Sequence, residues 1–336
     1  MKAPVAITNI FITFLPSTEA FSPSCPRFSY PNFPSPFDSI SVFGDSFSDV
    51  GNIHTLSNGT QPGVWSYSGR YSDGRVWVEY IQQFFGLPQL LPSLGGGTNY
   101  AYGGATISNE YIDAYSTALD AAVPSVLDQI TQYLEDVGGV IAGNGLHIVH
   151  AGYNDYWWYV YRNYTTAEGQ DFNLTNVYTT VATNVVQQVR RLYNVGARLF
   201  LVGNVPNMSS WAEAALQPLD VLDAYDVLVN GHNSLLASLL SKFEDECSDS
   251  TLYLFDAFDT YDCINTYKTF YGIDNVNDAC HPNESEDCGD IFSYKFWDYY
   301  HPTAHAHQIA SMFALQSIYN IELGKTPPIK TSLRKT

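Results

Sequence analysis

Four short, nearly continuous apolar runs stand out along the chain: Ser39 to Gly44, Leu146 to Ala151, Arg198 to Val202 and Thr251 to Phe255. None alternates with a period of two, so each reads as a strand buried on both faces, as in a parallel sheet. Between them, apolar positions recur every three to four residues. That spacing predicts helices over Val76 to Phe85, Pro124 to Glu135, Tyr178 to Tyr193, Leu219 to Glu246 and Pro302 to Ile321. Short buried strands alternating with long periodic segments predict an α/β fold with crossover helices and a mostly parallel sheet. Pro302 is expected in the first turn of the last helix, where its missing N–H has no intrahelical partner to lose.

The chain divides by composition. Lys2, an apolar run from Ala3 to Leu15 and the small residues around Glu19 read as a signal peptide over residues 1–20. Residues 21–37 carry Pro23, Pro26, Pro31, Pro34 and Pro36, too many for a helix, and are expected to lie as an extended arm over the domain. No repeat, charge block or linker interrupts residues 38–325, read as a single domain, and residues 326–336 form a basic tail expected to fray. Beyond the first 20 positions no apolar window is long enough for a transmembrane helix.

The 336 residues are ample for a sizeable core. Fifteen Lys and Arg against 34 Asp and Glu give a net charge of −19, which repels a phosphate backbone and excludes nucleic acid as a partner. The cysteines are Cys25, Cys247, Cys263, Cys280 and Cys288, crowded toward the end as oxidised loop staples would be. Cys280 and Cys288 are near enough to close a local loop, the pairing stays open, and the odd count leaves one thiol over. No Cys-x-x-Cys occurs, so no zinc knuckle is expected. Asn-x-Ser/Thr sequons at Asn58, Asn163, Asn173, Asn207 and Asn283 suit a secreted, extracellular glycoprotein.

Chemistry gathers at strand ends. Ser46 follows the first strand in Gly44-Asp45-Ser46, at the carboxyl end where open α/β sheets place their sites. A serine hydroxyl needs an oriented base to act as a nucleophile. His301, three residues after Asp298 and just before the last predicted helix, is the candidate base. A loop carrying Asp-x-x-His can give the carboxylate the Nδ1 proton and leave Nε2 for a distant serine. His301 and His305 stand four apart but lack the Glu of His-Glu-x-x-His, so no metal is expected there. Asn99-Tyr100-Ala101-Tyr102-Gly103-Gly104-Ala105-Thr106 could supply a bare backbone N–H, and Asn154 a side-chain amide, to a developing oxyanion.

Gly-Asp-Ser, Asn-x-Ala-x-Gly-Gly, Gly-x-Asn-Asp and Asp-x-x-His-Pro-Thr follow in this order from about Ser39 to Tyr319. Together they resemble the GDSL, or SGNH, hydrolase superfamily, with Phe47 in place of the Leu of the name. The resemblance implies a flavodoxin-like three-layer α/β/α sandwich and a serine esterase that needs no cofactor. It further implies Ser46 as nucleophile, His301 as general base and acid, and Asp298 as its orienting carboxylate. The oxyanion donors it implies are the Ser46 N–H, the Gly104 N–H, with Gly103 as the alternative, and the Asn154 amide. The absence of Gly-x-Ser-x-Gly argues against the α/β-hydrolase elbow.

Within the superfamily, Gly44 to Asn52 and Gly69 to Tyr80 are similar to secreted fungal acetylesterases of carbohydrate esterase family sixteen. That likeness implies removal of acetyl groups from sugars, with an oligosaccharide or small-molecule ester as substrate. The run Tyr156-Trp157-Trp158-Tyr159-Val160-Tyr161 follows Asn154, so Tyr156, Trp157 and Trp158 are candidate substrate contacts. A lipase or phospholipase of longer acyl chains would share every catalytic residue. A catalytically silent sugar-binding relative would keep the fold and the aromatics. The chain sets no oligomeric state that can be read from its pattern.

Overall fold

The computed structural model describes residues 34–110, 115–116, 121–141, 143–164, 173–282 and 288–322. The expected signal peptide, most of the proline-rich arm and the basic tail lie outside the described residues. The end of the arm is described: Phe37 is buried, with its ring 4.8 Å from that of Phe85.

Strands β1 (Ser39–Gly44), β2 (Gly145–His150), β3 (Leu199–Gly203) and β4 (Thr251–Phe255) pair side by side in that order, all parallel. Val42 lies opposite Ile148, Ile148 opposite Leu201, and Leu201 opposite Tyr253. All four residues are fully buried, which is why these runs are continuous rather than alternating. Residues 98–102 run along the outer edge of β1. Val42 N–H donates to the Thr98 carbonyl at 3.0 Å, Tyr100 N–H to that of Val42 at 2.8 Å and Tyr102 N–H to that of Gly44 at 3.1 Å. Both neighbours of β1 therefore come from later in the chain, one on each side. That is a topological switch point, and its crevice opens beyond Gly44, where Ser46 emerges.

Around the sheet pack α1 (Asn52–Leu56), α2 (Trp77–Phe84), α3 (Val126–Asp136), α4 (Tyr153–Tyr164), α5 (Leu174–Asn194), α6 (Leu219–Glu246), α7 (Ala257–Thr266) and α8 (Ala304–Glu322). The result is the three-layer α/β/α sandwich, with α5 against α6 and α2 against α8. Helix α6 keeps its sequence-predicted bounds because Val221, Ala224, Tyr225, Leu228, His232, Leu236, Leu240 and Phe243 form one buried stripe. Helix α5 starts four residues before its predicted beginning, because Asn173 caps it by accepting the Asn176 N–H at 3.0 Å.

The last helix corrects an expectation. Pro302 is not in its first turn: α8 begins at Ala304, and Thr303 caps it by accepting the Ala306 N–H at 3.2 Å. Pro302 is bridged antiparallel to Phe296, and its carbonyl accepts the Ser72 hydroxyl at 2.9 Å. A small parallel pair, β5 (Asn275–Ala279) and β6 (Tyr294–Phe296), was not apparent in the sequence. β6 leads directly into the loop that carries Asp298 and His301.

The central strand offers a direct test of the core. Ile148→Ala should lower unfolding free energy by about 2–5 kcal/mol, seen as a reduced urea midpoint at unchanged slope. An unchanged midpoint would contradict the burial of Ile148 between β1 and β3.

Candidate active site

Gly44 closes β1 where no side chain fits: an added Cβ would lie 2.3 Å from the His150 carbonyl oxygen. Beyond it the chain turns sharply. The Asp45 carbonyl accepts the N–H groups of Ser48 and Asp49, both at 3.0 Å, and its carboxylate accepts that of Phe47 at 3.1 Å. Ser46 projects from this turn, buried but for 7% of its surface. The turn is then tied to its surroundings through Asp49. Its carboxylate accepts the N–H groups of Gly51 and Asn52 at 2.7 Å, Gly103 at 3.0 Å and Ile53 at 3.2 Å. The Asn52 amide donates to the carbonyls of Asn99 and Ala101, both at 2.9 Å, and the Asn99 amide to that of Ser48 at 2.7 Å. Asp49, Asn52 and Asn99 have this tying part, which their sequence context, ordinary turn chemistry after a strand, does not reveal.

On the opposite side of the crevice, His301 Nε2 lies 2.9 Å from Ser46 Oγ. Its Nδ1 lies 2.8 Å from both Asp298 oxygens. Asp298 Oδ1 also accepts the N–H groups of Tyr300 and His301 at 2.8 Å, so one carboxylate holds both the ring and the backbone of its loop. Two further bonds close that loop: Trp297 N–H to the His301 carbonyl, and the Trp211 indole N–H to the Tyr300 carbonyl, each 2.8 Å. The structure thus brings Ser46, His301 and Asp298 together in one hydrogen-bonded chain.

The three expected oxyanion donors differ in what they already bond. Gly103 N–H is committed to Asp49, whereas the N–H groups of Ser46 and Gly104 donate to nothing among the described residues. Gly104 adopts φ +84°, a conformation suited to glycine, and of the two glycines it is the one whose N–H is uncommitted. The Asn154 amide gives one hydrogen to the Ala105 carbonyl at 3.0 Å, which leaves its second N–H free to point elsewhere. Asp155 accepts the Ile107 N–H with both oxygens, at 3.1 and 3.2 Å, and so stitches the start of α4 to the glycine segment.

Of the three candidate substrate aromatics, the structure keeps one in view. Trp157 is half-buried, stacks on Tyr161 at 5.2 Å, and meets Tyr300 edge to face at 5.6 Å, beside His301. Trp158 is mostly buried, its ring beneath the Arg162 guanidinium. Tyr156 corrects an expectation: it is fully buried, with its hydroxyl 2.6 Å from His232 Nδ1, and has no face for a substrate. Neighbouring positions on a helix point different ways, so an aromatic run divides between core and surface once α4 sets its phase.

Elsewhere, Cys280 and Cys288 form a disulfide, Cys263 is also disulfide-bonded, and the buried Cys247 is free. His281 lies within 4.8 Å of both of these sulfurs, a grouping that could otherwise hold a metal, but the disulfide uses the two sulfurs. Asn58 and Asn173 are exposed and Asn207 half-buried, while the side chain of Asn163 and all of Asn283 lie outside the described residues.

A profile of the family described as GDSL-like Lipase/Acylhydrolase matches residues 40–313. A GDSL esterase/lipase of Arabidopsis thaliana is 27% identical over 318 positions, covering 79% of this chain and 83% of the relative. A GDSL lipase of Tanacetum cinerariifolium is 26% identical, covering 81% and 82%. Acetylajmalan esterase 2 of Rauvolfia serpentina is 44% identical over 96 residues, 23% of this chain and 26% of that one.

Burial sets the charge states around the crevice. It pushes the Asp45 carboxyl up to about 7 and that of Asp155 to about 8. It holds the imidazoles of His147 and His150 down at about 4 and those of His232 and His307 at about 3. These histidines stay neutral when folded but bind a proton when unfolded below about 6.5, so stability falls as pH drops from there toward 4. The two carboxyls act oppositely: their contribution is complete below about 4 and is lost as pH rises through 7 and 8. Melting temperature should therefore fall as pH drops from about 6.5 toward 4, where the four histidines outweigh the two carboxyls. Asp155→Asn should gain melting temperature relative to wild type as pH rises from about 5 to 9, because it removes the carboxyl whose contribution is lost there. A difference between variant and wild type that does not change with pH would contradict the assignment to Asp155.

Proposed function

This chain belongs to the GDSL-like lipase/acylhydrolase family and is a carboxylic ester hydrolase, and from that premise we propose that it is a secreted serine esterase that removes acetyl groups from carbohydrates. The observation that carries the serine mechanism is the 2.9 Å contact of His301 Nε2 with Ser46 Oγ, backed by Asp298 on Nδ1. Residues 38–325 form the catalytic domain in this reading.

Ser46 Oγ attacks the ester carbonyl as its proton passes to His301 Nε2. Asp298 holds the imidazole in the tautomer that can accept this proton and stabilises the imidazolium that results. The carbonyl oxygen becomes an oxyanion, received by the N–H groups of Ser46 and Gly104 and the amide of Asn154. The tetrahedral intermediate collapses as His301 returns the proton to the departing alcohol, leaving an acyl-enzyme. Water then repeats the sequence and releases the acid and free Ser46.

Two observations support an acetyl sugar as substrate. Trp157 and the partly exposed Tyr300 meet edge to face beside His301, and aromatic rings at such a site suit a pyranose. A relative over 96 residues is named as an acetylajmalan esterase, and the segments Gly44 to Asn52 and Gly69 to Tyr80 resemble the fungal acetylesterases. The name GDSL lipase carried by another relative favours the second reading, in which the same rings border a longer acyl groove. Secretion is supported by the sequons at the exposed Asn58 and Asn173 and by the apolar leader. No helix among the described residues is long and apolar enough to cross a membrane.

Turnover of p-nitrophenyl acetate and p-nitrophenyl octanoate tests both levels. Wild type should prefer acetate, Ser46→Ala should abolish turnover with the fold intact, and Asn154→Ala should lower kcat by roughly 10² to 10³. Preference for octanoate would move the substrate to longer chains. Full activity in Ser46→Ala would overturn the serine mechanism.

A further inference from the structure

The segment Arg70–Gly74 belongs to neither the nucleophile loop nor the histidine loop, yet it touches both. Gly69, at φ +84°, is packed so tightly that an added Cβ would lie 2.7 Å from His54 Cβ and 3.2 Å from Gly51 Cα, both just beyond the Ser46 turn. On the other side, Ser72 Oγ donates to the Pro302 carbonyl at 2.9 Å, and Asp73 Oδ1 accepts the Ala304 N–H at 2.7 Å. These two bonds hold the backbone on the far side of His301, as Asp298 holds the near side. Gly74 allows the approach, since an added Cβ would meet Ala304 Cβ at 2.7 Å. Between the two anchor points the Tyr71 ring lies 4.9 Å from the His301 ring, and it also fills the space a side chain on Gly103 would need.

The segment itself is braced. The Arg70 guanidinium pairs bidentately with Glu79, Nη2 to Oε1 at 2.7 Å and Nε to Oε2 at 3.2 Å, and donates to the Ser68 carbonyl at 2.6 Å. Both side chains are nearly buried, and Glu79 also accepts the Val76 N–H at 3.0 Å, so the pair fixes the loop to the start of α2. Helix α2 in turn packs along α8.

We propose that Arg70–Gly74 is a clasp that positions His301 against Ser46, with Asp73 as its main positioning residue. This rests on the serine mechanism above. The clasp acts through the backbone of residues 302–304 rather than on the substrate. Its loss therefore lowers the fraction of time His301 lies in line with Ser46 and leaves substrate binding alone, because a displacement of about 1 Å suffices to cost a large part of the rate. A mere helix cap would show a different pattern: lower stability, with normal turnover in every folded molecule.

The test compares Asp73→Ala with Asp73→Asn in the full chain, using p-nitrophenyl acetate. Burst titration counts competent sites, and thermal melting confirms the fold. Asp73→Ala should lower kcat per competent site by about tenfold or more with KM within about twofold of wild type. Asp73→Asn keeps an oxygen acceptor for the Ala304 N–H and should restore kcat to within about threefold. Overturning outcomes are a kcat per site in Asp73→Ala close to wild type, or an equal loss in Asp73→Asn, which would assign the effect to charge. Ser46→Ala keeps the two levels apart: activity surviving in it removes the serine mechanism, whereas inactivity there beside a normal Asp73→Ala removes the clasp alone.

Discussion

Two side chains 255 residues apart in sequence meet at 2.9 Å, and the arrangement of the crevice depends on that hydrogen bond between Ser46 and His301. The bond is directional and short, so neither loop has room to drift. The parallel sheet places the Ser46 turn at the switch point beside β1. The small β5–β6 pair and the start of α8 deliver His301 from the other side. Each loop is then held by one carboxylate that collects several N–H groups: Asp49 beneath the nucleophile turn and Asp298 beneath the histidine. The same device used twice gives two rigid walls around one reactive gap.

That rigidity is built from buried polar groups, which are costly unless satisfied. Asp49 and Asp155 meet the cost through backbone donors, and burial drives Asp155 toward its neutral form. His150 and His307, buried behind the crevice, are kept neutral by the same exclusion of water. The −19 net charge of the whole chain opposes anionic partners.

Much of this was legible in the sequence. The four strands were visible because burial on both faces leaves no polar alternation, and α6 because its buried stripe runs unbroken from Val221 to Phe243. Ser46, Asp298 and His301 stood in motifs whose residue types have a chemical reason to occur together. What was hidden depends on long-range pairing or on helix phase. Residues 98–102 pair with β1 only through isolated bridges, so no apolar run announces them. Helix α4 escaped notice because a dense aromatic run has no visible period, and for the same reason Tyr156 could not be told from Trp157. Pro302 has the composition of a helix start, but pairing with Phe296 holds it extended and passes the start to Ala304. Ser72 and Asp73 look like turn residues until their partners, some 230 positions away, are known.

The central claim is that a single serine, activated by His301, carries the acyl group. Its most direct test is treatment of the wild type with diethyl p-nitrophenyl phosphate, followed by peptide mass spectrometry alongside residual activity. The account predicts one phosphoryl adduct, on the peptide containing Ser46, with activity lost in proportion to its formation. Activity that persists with Ser46 fully modified, or inactivation accompanied by an adduct on another residue, would contradict it.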